Sequence, residues 1–231
     1  MKKYELTAEF IEKWGKKLFR IKALISFGNV EAGELGGYVE KEDNLAQDDN
    51  AWVHGNARVF GNARVFGNAR VFGNARVCDD AEVCGNARVF GNARVCDDAE
   101  VLGNARVFGN ARVCDDAEVC DDAEVFGNAR VYGDARVCGN ARVYGDADYL
   151  LIGRIGSRFS FTTFFKNKDK GITVSCGCFL GTIAEFRAKV SDTHGNNKHA
   201  KIYNLAADMA ELQILGEEHF ENLNTNKSEP F

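Results

Sequence analysis

The sequence predicts a mainly β protein whose middle is a three-sided parallel β-solenoid, with an N-terminal β-hairpin cap and a small C-terminal α+β unit. Three observations predict it. Residues 55–144 are fifteen consecutive six-residue units of Gly/Asp-Asn/Asp-Ala-Arg/Glu-Val-x, without a slip. A Cys-Asp-Asp variant of the unit recurs every eighteen residues, at Cys78, Cys96 and Cys114. The chain carries 24 glycines against one proline, and many of those glycines open a repeat unit.

A six-residue period cannot be a helix face, because turns of about 3.6 residues would smear valine around the cylinder. It fits a short strand, Ala-Arg-Val-x, followed by a two-residue corner of Gly-Asn or Asp-Asp. Side chains alternate along a strand, and a stack of unpaired arginines resists burial. Ala57 and Val59, with their equivalents, therefore point inward, and Arg58 and Phe60 point out. Glycine and asparagine at the corners tolerate the positive φ of a tight turn. Eighteen residues are three units, so one coil is a triangle, with like residues of successive coils about 4.8 Å apart. The fifteen units make five coils, about 24 Å tall on that spacing. Residues 49–54 and 145–150 are looser units in the same register. Residues 37–42 and 43–48 keep the spacing but lose the residues, as a capping coil does.

The longer period sorts the outward residues into three ladders. The first carries Arg58, Arg76, Arg94, Arg112 and Arg130, beside Phe60, Cys78, Cys96, Cys114 and Tyr132. The second carries Arg64, Glu82, Glu100, Glu118 and Arg136, beside Phe66, Cys84, Leu102, Cys120 and Cys138. The third carries Arg70, Arg88, Arg106, Glu124 and Arg142, beside Phe72, Phe90, Phe108, Phe126 and Tyr144. A column of five outward rings exceeds the apolar area a monomer usually leaves to water. The expected interface is this third face. It would use Phe72, Phe90, Phe108, Phe126 and Tyr144 for stacking and Arg70, Arg88, Arg106 and Arg142 for charge. Its cover is the C-terminal segment, another copy, or a partner. The corner acids Asp79-Asp80, Asp97-Asp98 and Asp115-Asp116 read as a solvated edge. The fifteen units hold 11 Arg against 13 Asp and Glu, which dilutes any mimicry of a duplex.

Before the array, Leu18-Phe-Arg-Ile-Lys-Ala-Leu24 alternates like a half-buried strand after a Gly15-Lys16 turn, as a hairpin hiding the open end of the solenoid would. After it, residues 159–165 and 171–179 read as strands. Thr182-Ile-Ala-Glu185 is a capping box opening a helix that ends near Gly195. A second helix covers residues 198–215, with Ile202, Leu205, Met209 and Leu212 as its apolar stripe. The domain boundaries are thus 1–36, 37–150, 151–215 and a loose polar tail over 216–231.

Cys176, Cys178, His194 and His199 form a runner-up zinc set. Cys-x-Cys is one residue short of the usual knuckle, so packed thiols are the first expectation and no metal or other cofactor is assigned. The eight cysteines follow a polar N-terminus with no leader pattern, and on that ground they are expected to be reduced thiols of a bacterial cytosol. No apolar run suits a membrane span, and the net charge of -5 is small. Neither membrane nor nucleic acid is an expected partner; a homo-oligomer (dimer or trimer), a host protein and a small anionic ligand are.

The register Val59-Phe60-Gly61-Asn62-Ala63-Arg64 resembles that of the hexapeptide-repeat, left-handed β-helix proteins, and the left hand is implied by that resemblance alone. The opening at Leu18–Leu24 and Gly33–Tyr38, the Gly-Asn-Ala-Arg-Val array, and the Cys176-Gly-Cys-Phe-x-Gly-Thr182 ending resemble uncharacterised phage and prophage proteins. Many relatives with this solenoid are coenzyme-A-dependent acyltransferases, with a histidine base on a loop extruded from a coil. The array here has no such loop, and its histidine is His54 in the entry coil. The related carbonic anhydrases need three histidines on zinc, which the array cannot supply. The expected function is a non-enzymatic, phage-encoded binding scaffold. It would inhibit a bacterial defence by blocking a host protein or by sequestering an anionic, nucleotide-like signal. A self-assembling structural solenoid and a degenerate acyltransferase are the alternatives.

Overall fold

The computed structural model of the chain describes residues 1–217. The expected tail lies, from residue 218 onward, outside the described residues. An antiparallel hairpin, β1 (Tyr4–Lys13) and β2 (Lys16–Ala23), leads to β3 (Leu35–Val39). Sixteen two-residue strands follow, from β4 (Trp52–Val53) to β19 (Arg142–Val143). They pair in parallel with the strand eighteen residues on, as in Arg94↔Arg112 and Val95↔Val113. Three parallel sheets result, one per face, so the triangular solenoid is the architecture of the chain. Each strand is short because a corner turns the chain every six residues. Arg94 N–H donates to Ala111 O at 2.9 Å and Cys96 N–H to Val113 O at 3.0 Å.

The corners work as the composition requires. Gly91 and Gly109 sit at φ +72° and +73°, and aspartate takes the same conformation at Asp97, Asp115 and Asp121 (φ 59°, 59° and 57°). Aspartate is among the few non-glycine residues that occupy this region readily. The interior is alanine and valine from Ala57 to Val143, fully buried. Only small side chains fill a triangle this narrow, and the uniformity of the repeat follows from that.

The first coil departs from the expected spacing. Val39 pairs with Val59 and Leu45 with Val65, twenty residues on, whereas Val53 pairs with Val71 at eighteen. Two extra residues are therefore accommodated between Leu45 and Val53. The corner at Asp48-Asp49-Asn50 absorbs them, with Lys3 Nζ held by Asp49 O (3.0 Å), Asp49 Oδ1 (3.2 Å) and Ala51 O (3.0 Å). Trp52, at the position arginine takes in later coils, is buried under the edges of Tyr4 and Phe27. The hairpin turn lies one residue earlier than expected, at Trp14-Gly15, both with positive φ.

At the other end, residues 145–150 do not complete a coil. Asp146–Asp148 form a short 3-10 turn, and Tyr149 opens an antiparallel sheet: β20 (Tyr149–Ile155), β21 (Ser160–Lys166), β22 (Ile172–Cys176) and β23 (Phe179–Thr182). Phe165 of this sheet joins the solenoid core, and Phe164 faces the opposite way into a second core beneath two helices. These are α1 (Ile183–His194), capped by Thr182 and Glu185 as the sequence predicts, and α2 (Lys198–Leu215). The apolar stripe of α2 is a correction. Leu205, Met209 and Leu212 are 63%, 56% and 46% exposed, while Tyr203, Ala206, Ala207, Ala210 and Ile214 are buried. Alanines let α2 lie close to the sheet and α1, and Arg187 of α1 clamps it through Asp208 and Glu211, both at 2.7 Å.

Candidate functional site

On the first face the parallel ladder brings Arg58, Arg76, Arg94, Arg112 and Arg130 into register, one per coil. With Asn74, Asn92, Asn110 and Asn128 they line an open groove of about 710 Å³ along the solenoid. Asn74, Asn92 and Asn110 each donate through Nδ2 to the Oδ1 one coil on, at 3.3, 3.2 and 3.1 Å. That chain uses one N–H per amide and leaves the other for a ligand. Among the described residues no carboxylate lies within 4.0 Å of these five guanidinium groups, whereas Arg64, Arg136, Arg106 and Arg142 of the other two faces do find acids. Neighbouring guanidinium charges one coil apart repel by about 1 kcal/mol in water-like surroundings, and more where water is excluded. The Nε atoms of Arg58 and Arg94 are buried without a partner. Burial first, then repulsion from Arg94 and Arg58, holds the Arg76 guanidinium below its ordinary pKa.

The N-terminal hairpin closes one end of this groove. Trp14 stacks on Phe60 at 4.9 Å, and the Arg76 and Arg58 guanidinium carbons lie 4.7 and 6.0 Å from its ring centre. Trp14 is still half exposed, so the indole borders both the groove and solvent. The second face carries the opposite charge. Asp80, Glu82, Asp98, Glu100, Asp116 and Glu118 line a groove of about 390 Å³, with Arg64 pairing Glu82 (3.2 Å) and Arg136 pairing Glu118 (2.8 Å). Its corner acids also serve the backbone: Gly133 N–H donates to Asp115 and Gly139 N–H to Asp121, both at 3.0 Å.

On the third face the structure stacks the expected aromatic residues. Phe72, Phe90, Phe108 and Phe126 lie 4.7, 4.8 and 5.0 Å apart with nearly parallel planes, and Tyr144 tilts out of the stack, 61% exposed. Stacking hides the faces of the four phenylalanine rings, which are half-buried in a single chain. The stripe is thus smaller than isolated outward rings imply. The C-terminal unit meets this face at its last strand, through the Ala141–Asn167 bridge. The charges flanking the rings are also partly spent. Arg106 (3.4 Å) and Arg142 (2.9 Å) both pair with Glu124, leaving Arg70 and Arg88 without an acid among the described residues. Among the described residues, the face whose arginines meet no acid at any coil is the first. The sequence signal was available: of the three ladders it is the one that glutamate never enters.

Of the zinc candidates, Cys176, Cys178 and His194 line one pocket of about 420 Å³ with Tyr203, and His199 is not part of its lining. Thr162 Oγ1 donates to Cys176 Sγ at 3.2 Å. Among the described residues, donors gather within metal-ligand range in two places, Cys96-Asp97-Cys114 and Glu118-Cys120-Cys138, and neither contains these four. Both contain a disulfide, and here the expectation of reduced thiols is corrected. Cys96 is bonded to Cys114 and Cys120 to Cys138, with Cα atoms 4.8 and 4.6 Å apart. The coil spacing itself puts like positions inside the range a disulfide spans. Cys78, the remaining cysteine of its column, is left free and buried, and burial with the nearby Asp79 pushes its thiol up to about 12.

The fold and its charged faces define a repeat β-solenoid protein. Its array is similar to the YdcK beta solenoid repeat family, whose family model matches residues 57–71, 63–79, 81–97 and 135–147. No curated protein matches the chain. No helix of the described residues is long and apolar enough to cross a membrane.

Proposed function

We propose that the protein is a non-enzymatic binding scaffold that takes an anionic ligand on the arginine groove of its first face. The observation that carries this is the ladder of five guanidinium groups without a carboxylate partner among the described residues. Guanidinium is the side chain best suited to phosphate, through its planar fork of donors and weak hydration. The ladder's self-repulsion is relieved when anions enter. A phage origin and a role against a bacterial defence, by blocking a host protein or holding a nucleotide-like signal, rest on the sequence resemblance alone. The aromatic third face, with Arg70 and Arg88, is then a second contact surface of the same scaffold. A self-assembling solenoid is the second reading, favoured by the acidic groove of the second face, which has the same coil spacing as the arginine groove.

The test is calorimetric titration of the pure chain with inorganic triphosphate and with ATP at low salt. The expected result is binding that weakens at least tenfold in Arg94→Gln/Arg112→Gln and is unchanged in Arg88→Gln. Equal affinity of the groove variant and the parent chain would remove the first face from the function. Turnover of an acyl-coenzyme A by the pure protein would replace the scaffold with the acyltransferase alternative.

A further inference from the structure

Resting on that reading, we infer that the groove's ligand is a linear phosphate polymer lying along the solenoid axis, and not a single compact anion. The geometry of the groove argues for it. A site for one small anion converges: donors from several directions surround one point and exclude water. This groove is linear. The register repeats arginine over five coils, Arg58 to Arg130, a span of about 19 Å at the strand spacing. The asparagine ladder runs parallel to it and repeats at the same interval. One small anion would neutralise one or two guanidinium groups and leave the others facing each other unpaired. A chain of phosphates answers every arginine with one molecule, and the coil spacing sets the pitch at which it must present charge.

The chemistry of the lining narrows the polymer further. Single-stranded nucleic acid is usually held by basic side chains together with aromatic platforms for the bases. The groove lining is arginine and asparagine. Trp14, whose ring centre lies 4.7 Å from the Arg76 guanidinium, already stacks on Phe60. The groove therefore reads charge without bases, which suits inorganic polyphosphate. The acidic groove on the neighbouring face repels the same polymer and confines it to one side of the prism.

The test follows Trp14 fluorescence while the full chain is titrated with inorganic triphosphate, medium-chain polyphosphate, and an oligothymidylate matched in charge to the medium chain. The salt dependence is measured for each. The inference expects affinity to rise at least tenfold from triphosphate to the medium chain. It expects a slope of log affinity on log salt of roughly -3.5, about -0.7 for each of the five arginines. Arg94→Gln and Arg112→Gln, checked for native circular dichroism, should each reduce the slope and weaken the medium chain more than triphosphate. Arg94→Lys keeps the charge and should fall between parent and Arg94→Gln.

Affinity that stays flat from triphosphate onward overturns the polymer while leaving the anion-binding scaffold in place. No binding of any probe overturns both. Tighter binding of the oligothymidylate assigns the groove to nucleic acid and overturns the base-free ligand. Self-association in sedimentation without added anion, abolished by Glu100→Gln, gives the groove to a second copy's acidic face and overturns the inference as well.

Discussion

Gly109 offers a sharp test of how the corners are built. It stands at φ +73°, and a Cβ there would lie 3.0 Å from both the N and the O of Gly127 on the next coil. An alanine must adopt the left-handed conformation, at about 1–2 kcal/mol, and also push against the neighbouring backbone. Stiffening of the unfolded chain offsets about 0.4–1 kcal/mol of this. Gly109→Ala should therefore lose roughly 1–2 kcal/mol. Aspartate is different, because Asp115 and Asp121 already occupy equivalent corners and accept from Gly133 and Gly139 of the next coil at 3.0 Å. Gly109→Asp should recover about 1 kcal/mol through the same bond to Gly127 N–H. Gly109→Val, branched at Cβ, should be the worst of the three. Urea unfolding followed by circular dichroism measures the series, and the expected order of stability is parent, Asp, Ala, Val. Alanine as stable as the parent, or aspartate less stable than alanine, would refute this account of the corner.

Other outcomes follow from the same structure. Each disulfide closes a loop of eighteen residues, so reduction should lower stability by about 3 kcal/mol per bridge on a chain-entropy basis, read as a lower melting temperature in dithiothreitol. Native thiol labelling should modify exposed Cys178 first and Cys78 last, since burial raises the Cys78 thiol to about 12 and keeps it protonated below that pH. Mass spectrometry of the labelled peptides reads the order. On α2, Met209→Ser should leave stability within about 0.5 kcal/mol, because Met209 is exposed. Ala207→Leu should cost about 1–3 kcal/mol by overpacking a buried site; thermal unfolding separates the two.

The solenoid was legible because two periods reinforce each other. Six residues fixed the strand and corner, and eighteen fixed three sides. Parity then places Ala57 and Val59 inside. The parts that escaped have specific physical reasons. The two-residue insertion between Leu45 and Val53 carries no motif, because Asp48, Asp49 and Asn50 suit a corner of either length. On α2, apolar size points to the wrong face. A helix packed as closely as this one buries alanines and leaves Leu205 and Met209 outside. The disulfides escaped because a compartment argument was set against a stacking geometry that already placed the thiols together. The arginine groove was visible as a ladder free of glutamate, but the aromatic column drew the interface to the third face. Glu124 already stands between Arg106 and Arg142 in the third ladder, and its pairing with both weakens the third face as an anion site.

The claim at the centre of the account is that anions enter by the first face. Arginine side-chain Nε–Hε resonances, assigned by substitution and followed during titration with inorganic polyphosphate, test it most directly. The account predicts that Arg58, Arg76, Arg94, Arg112 and Arg130 shift together while Arg70 and Arg88 stay in place. Shifts confined to Arg70 and Arg88, with the first-face ladder unmoved, would contradict it.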